Sequence, residues 1–262
     1  MTTLTAPPAA PALGWSSHDT AALIGRCLRR SLRQMDTVLM AVILPLALLL
    51  MFVYVFGGAI ETGGDYVNWV VPGIVLLTAG YGSANTAVEV ASDMTGGIID
   101  RFRSLPIRPT GVLTGHVVAS MVRNAVSTAL VIGVAFLIGF DAAATPLEWL
   151  AAVGLIALFV LALTWVAVAI GVVASGPEAA SGFTFAILFI PYVSSAFVPP
   201  ESMPSVLETI ATYNPITPIT DTLRGLLLGM PVGDAWLAAV VWCVGIFVVA
   251  RVAAAVLFRR RS

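Results

Sequence analysis

Lysine is missing from this chain: all thirteen of its basic residues are arginine. A phosphate-binding G-x-x-x-x-G-K-[ST] loop needs its lysine on the nucleotide phosphates, so the chain holds no ordinary ATPase site. Schiff-base catalysis is excluded on the same ground. Charge of either sign is scarce, at 10% of 262 residues against 59% hydrophobic. A soluble domain carries about a quarter charged residues, so this composition is that of an integral membrane protein. Only two cysteines and two histidines occur. Cys27 precedes the first apolar run and Cys243 lies in the last, which argues against a structural disulfide. His18 and His116 are too few and too far apart for a metal cluster. No basic patch interleaved with aromatics suggests nucleic acid, and no set of Ser, His, Asp or Cys resembles a catalytic triad.

What fills the chain instead is long apolar runs, at about 38–58, 67–91, 117–139, 149–174, 179–198 and 235–258. Each is near the roughly 20 residues that a membrane-crossing helix needs. They read as helices, because barrel strands are shorter and alternate in polarity. The fold class expected is an all-α membrane protein with six spans, in one domain over 19–262. Residues 1–18 are rich in Ala, Pro and Thr, with no basic residue ahead of an apolar core. They read as a disordered tail rather than a signal peptide.

Six spans place both termini on one side, and the arginines select it. Arg26, Arg29, Arg30 and Arg33 precede the first span, Arg101, Arg103 and Arg108 follow the second, and Arg259, Arg260 and Arg261 follow the sixth. Arg123 and Arg251 lie in the same halves of their spans, which leaves Arg224 alone on the far side. Positive charge marks the cytoplasmic side, so both termini are expected there.

Three shorter segments stand out. In the first cytoplasmic loop, Ile98, Ile99, Phe102 and Leu105 share one side of a helical wheel, with Asp100, Arg101, Arg103 and Ser104 opposite. Pro106 and Pro109 stop this helix after about two turns. Its shape suits either a groove on a soluble partner or a bed of lipid headgroups. A second amphipathic helix, over 19–36, carries Leu23, Ile24, Cys27, Leu28, Leu32 and Met35 against four arginines, as an interfacial helix on anionic lipid does. Between spans five and six, a proline-broken stretch is followed by a capping box at Ser205 and Glu208. The helix it opens ends at Asn214 and Pro215. Thr217 is placed to cap a second helix that runs to Gly229. Such short helices cannot cross a bilayer, yet they are too apolar for a free loop. A pair of re-entrant helices closing the outer side satisfies both facts.

Charge inside a span needs a partner or water. Glu89 and Asp93 lie near the inner end of span two and Arg123 at a comparable depth in span three. Either Glu89 pairs with Arg123, or each snorkels to the interface alone. His116 shows no partner in the sequence pattern. Tyr81, Asn85 and Thr86 bring polarity to span two. Phe185, Phe189 and Tyr192 recur at helical spacing in span five. Together they line either a pocket for amphipathic organic molecules or an ordinary packing seam.

Two stretches then carry a resemblance. Gly97-Ile-Ile-Asp-Arg-Phe-Arg-Ser-Leu-Pro-Ile is similar to the first cytoplasmic loop of ABC-2-type permeases of the daunorubicin-resistance kind. Phe197-Val-Pro-Pro, Met203-Pro, Asn214-Pro-Ile-Thr217 and Arg224-Gly-Leu-Leu-Leu-Gly229 resemble the outer re-entrant region of the same family. The resemblance covers nearly all of the chain beyond residue 18. It implies the permease subunit of an ATP-driven exporter in the cell membrane, dimeric with a second copy or a paralogue. Two copies of a cytoplasmic ATPase would bind the ATP and magnesium. The coupling helix would comprise Gly97, Ile98, Ile99, Asp100, Arg101, Phe102, Arg103, Leu105 and Pro106. Spans two and five would line the path. The cargo expected is a hydrophobic drug or natural product, with an envelope lipid or glycolipid as the alternative. A proton-coupled transporter remains a third reading, although the charges cluster away from the midplane.

Overall fold

The computed structural model describes residues 24–25, 27–29, 35–60, 64–97 and 110–261. Among them every regular element is helical. The expected coupling helix beyond Gly97, and most of the 19–36 helix, lie outside the described residues.

Helix α1 runs Met35–Met51 and passes into a π-helical turn, Phe52–Phe56. Helices α2 (Tyr66–Thr95), α3 (Thr110–Leu137) and α4 (Pro146–Val173) follow as long, nearly unbroken rods. After them come α5 (Pro177–Ile187), α6 (Ser205–Tyr213), α7 (Ile216–Leu228) and α8 (Ala235–Arg260). Four of these, α2, α3, α4 and α8, are long and apolar enough to cross a membrane. Their apolar content explains both the length and the location, since backbone polar groups in lipid are satisfied only within a helix or a closed barrel.

Helix α2 is the axis of the molecule. It packs on α1, α3, α4, α5 and α7, and 78% of its most apolar stretch is buried within the chain. Close approach needs small residues. A Cβ on Gly171 of α4 would stand 2.6 Å from the Ala87 carbonyl oxygen of α2, closer than any side chain could sit. Helix α8 is the opposite case, with only 17% of its apolar stretch buried.

Three local expectations are corrected. The fifth apolar run does not form one continuous helix. Helix α5 ends at Ile187 and a 3-10 turn occupies Ile190–Tyr192. Pro191 cannot donate the N–H that would continue the helix, and the Ser194 hydroxyl bonds back to its carbonyl oxygen. At about 1.5 Å per residue, α5 alone is too short to cross. Ser205 does not form a capping box: the Glu208 N–H donates to the Pro204 carbonyl, and Ser205 is already the first helical residue. A capping box forms instead at Thr145 and Glu148, opening α4. Thr217 does not cap α7 either. Its hydroxyl donates to the Ala211 carbonyl and accepts the Ser195 N–H, pinning the two short helices to the segment before them. Gly229 ends α7 with φ 64°, the left-handed conformation that suits glycine at a helix C-terminus.

Candidate functional site

Thr86, Glu89 and Asp93 recur at helical spacing on α2, and His116, Ser120 and Arg123 do so on α3. The two helices run antiparallel, so these faces meet as a ladder. Arg123 Nη1 donates to Glu89 Oε1 at 2.9 Å and Nη2 to Thr86 Oγ1 at 3.2 Å. His116 Nε2 lies 3.1 Å from Asp93 Oδ2 and its Nδ1 3.5 Å from Glu89 Oε2. Of the two arrangements open for Glu89 and Arg123, the structure has the pair. It also supplies His116 with two carboxylates, which the sequence pattern did not reveal. Asp93 was legible as a charge inside its span, and His116 only as a position two turns from Arg123. This network joins the two helix stems that flank residues 98–109. Deeper in the same seam, Ser120, Thr164 and Ser83 form a hydroxyl chain at 3.2 and 3.3 Å, and Asn124 donates to the Ser120 carbonyl. Gly82 makes room for Asn124, whose Oδ1 would lie 2.1 Å from a Cβ there.

At the other end of α2, Arg224 of α7 is buried beside Trp69. Its guanidinium lies 3.7 Å from the Trp69 ring centroid. It donates to the carbonyl oxygens of Trp69 at 3.2 Å and Ser195 at 2.8 Å, and pairs with Asp221 at 2.8 Å. Asn214 closes the same hub, with its amide nitrogen donating to the carbonyls of Ile190 and Val193 and its oxygen accepting the Ile216 N–H. Pro215 is the residue that precedes α7. Trp69 and Glu89 are twenty positions apart, about 30 Å along a helix. That is close to the thickness of the hydrocarbon core, so the two arginine hubs lie about one such thickness apart along α2.

Between the hubs, α1, α2 and α5 enclose a groove of about 410 Å³. Tyr81, Asn85 and Phe185 line it with Ile43, Leu44 and Leu188. Thr86 is not part of it, being turned to Arg123. Although α5 stops at Ile187, the aromatic series continues past it. Ring centroids of Phe185, Phe189, Tyr192, Phe197, Phe52 and Phe56 follow one another at 4.7 to 6.0 Å. Phe185 and Phe189 are exposed, while Tyr192 is half-buried. This geometry offers aromatic faces and edges in a row, with one amide and one phenol beside them, and it suits a flat amphipathic molecule. Across α2 and α5 a separate apolar cavity of about 220 Å³ is bounded by Phe159, Leu163, Ile170 and Ile216. No group of three or more metal-ligating side chains occurs among the described residues.

The family model described as ABC-2 type transporter matches residues 18–228. The daunorubicin resistance ABC transporter permease protein DrrB1 of Streptomyces coeruleorubidus is 32% identical over 211 residues, covering 80% of this chain and 74% of that protein. The probable doxorubicin resistance ABC transporter permease protein DrrC of Mycobacterium tuberculosis is 28% identical over 245 residues, covering 90% of this chain and 87% of its own length. Together with the long apolar helices built around α2, these likenesses establish a multi-pass membrane protein that belongs to the ABC-2 type transporter family.

Proposed function

We propose that this chain is the permease subunit of an ATP-driven exporter of hydrophobic, partly aromatic drugs or natural products. The observation that carries this reading is the groove between α1, α2 and α5, from which a row of aromatic rings runs to the Arg224 end of the molecule. The relatives named for daunorubicin and doxorubicin resistance support it, since both compounds are planar and amphipathic. On this reading Tyr81, Asn85, Phe185, Phe189 and Tyr192 contact cargo, and Thr86 acts only through Arg123.

A permease without lysine draws its energy from another polypeptide. The partner is a cytoplasmic ATPase, present in two copies and holding ATP and magnesium, and the permease pairs with a second copy or a paralogue. The segment from Gly97 to Pro106 is the coupling helix, with Phe102 in a pocket of the ATPase. In this topology six segments traverse the bilayer and both termini are cytoplasmic. The first is α1 with its π turn, and the fifth is α5 with the 3-10 segment after it. The re-entrant segment that carries Ser205, Asn214, Pro215, Thr217 and Arg224 faces outward.

Reconstitution tests the reading. Vesicles containing the permease and its cognate ATPase should move a fluorescent planar aromatic amine only with hydrolysable ATP. Phe185→Ala should raise the half-saturating dye concentration several-fold with little change in the basal ATPase rate. ATP-driven movement of a labelled lipid, with none of the dye, would favour the envelope-lipid alternative and overturn the drug reading.

A further inference from the structure

Arg251 has no role in the coupling, groove or re-entrant assignments, and its surroundings are unusual. It lies on α8 eight residues before Arg259, about 12 Å deeper along the helix. It is exposed, and so are its neighbours Val248, Val249 and Val252. This is therefore a charged side chain on an apolar, outward-facing surface. The Trp165 and Phe247 rings stand beside its guanidinium, each with a centroid 5.9 Å from Cζ. No carboxylate pairs with it among the described residues. A cation in such a place needs a counter-charge or water.

A second copy of this chain is poorly equipped to supply one. At this end of the spanning helices, the described carboxylates are Glu89, Asp93 and Glu178. The first two are held in the buried network with His116 and Arg123. Glu178 opens α5 just past the end of α4, level with Arg261, which bonds to the Val172 and Ala174 carbonyls, rather than with the deeper Arg251. The bilayer can supply it. Arg259 and Arg260 mark the same end of α8, and a bilayer thins locally around a charge within a span, which brings lipid phosphates to the guanidinium where it stands. The guanidinium carbon stands over both rings, a cation–π contact that leaves N–H groups available to a phosphate's oxygens.

We propose that Arg251, braced by Trp165 and Phe247, is a binding site for the headgroup of an anionic phospholipid. It is distinct from the cargo groove and does not depend on which molecule is exported. The site lies in the leaflet that meets Arg259 and Arg260.

Trp165 provides the probe. The full-length permease is placed in vesicles containing brominated phosphatidylglycerol or brominated phosphatidylcholine at equal mole fraction. The Trp165 contribution to quenching is the difference from a Trp165→Phe protein. The anionic lipid should bind on the order of fivefold more strongly than the zwitterionic one, as one basic group near a surface provides. Arg251→Lys should keep most of that preference. Arg251→Leu, which suits a lipid-facing position, should bring the ratio close to one, and Arg251→Gln should do the same if the leucine variant inserts poorly. A ratio near one in the unmodified protein would overturn the proposal. So would a preference that persists in both uncharged variants, because Arg259 and Arg260 would then account for it.

Discussion

Arg224 and Arg123 are equally buried, each 4% exposed, and stand at opposite ends of α2. They are satisfied in different ways. Arg224 serves mainly main-chain carbonyls, with Asp221 as a half-exposed counter-charge. It staples the start of α2 to a region whose helices are too short to stand alone. Arg123 serves side chains: Glu89 and Thr86 directly, and His116 and Asp93 through Glu89. A carbonyl can only accept, so the first site tolerates nothing but a donor. A network of opposite charges has no such polarity and can be inverted. The first arrangement is suited to holding a fixed shape, and the second to linking two helices that move together.

The largest expected effect is at the Arg224 hub. Arg224→Met removes the ion pair and leaves two carbonyls without their donor, which should cost about 3 kcal/mol or more. Thermal unfolding, followed by reactivity of the buried Cys243 thiol in a Cys27→Ser background, measures it. An unchanged midpoint would mean that the carbonyls find other donors and that the hub is not a staple.

Charge inversion then separates the two sites. Arg123→Glu and Glu89→Arg should each impair stability and ATP-driven transport, while the double exchange should recover at least about 1 kcal/mol by coupling. The matching exchange of Arg224 and Asp221 should recover nothing, because an aspartate at position 224 would face carbonyl oxygens. Equal recovery at both sites would erase the distinction drawn between them.

Asn214→Asp tests the carbonyl-serving character of the Arg224 end once more. It replaces an amide that donates to two carbonyls with an acceptor, and should cost about 1–3 kcal/mol in the same unfolding assay. A smaller loss than Ser195→Ala produces would place the hub's centre elsewhere.

The smallest effects concern the caps. Ser205→Ala should change stability by less than about 0.5 kcal/mol, since its side chain accepts no capping bond. Thr145→Ala, at a formed capping box, should cost about 1 kcal/mol. A reversal of this order would restore the capping role that the Ser205 motif suggested.

Much of the fold was legible because a helix in lipid is a local object. Runs of apolar residues near the length of a bilayer sufficed for α2, α3, α4 and α8, and the glycine after α7 marked its end. Legibility failed where one residue had two possible partners. Ser205 and Thr217 both match helix-start patterns, yet Pro204 had already offered its carbonyl, and Thr217 was drawn to Ser195, 22 residues away. The fifth apolar run matched a span by length and composition. Pro191 and the hydroxyls after it turned it into a short helix and a turn. In the candidate site, Tyr81, Asn85 and Phe185 were visible as a polar and an aromatic set. Nothing in their spacing separated them from Thr86, which faces the opposite side of α2.

The sequence by itself determined that this is an all-helical membrane protein with no lysine-based nucleotide site. Those properties follow from composition and from contacts within one or two helical turns. Only the tertiary structure decided which charges neutralise which. Asp93 meets His116 across 23 residues, Glu89 meets Arg123 across 34, and the Trp69 carbonyl meets Arg224 across 155. Such pairings depend on the rotation and depth at which two helices pack. Small residues such as Gly82 and Gly171 set that packing by letting backbones approach, and helical periodicity alone carries no information about the partner across the seam.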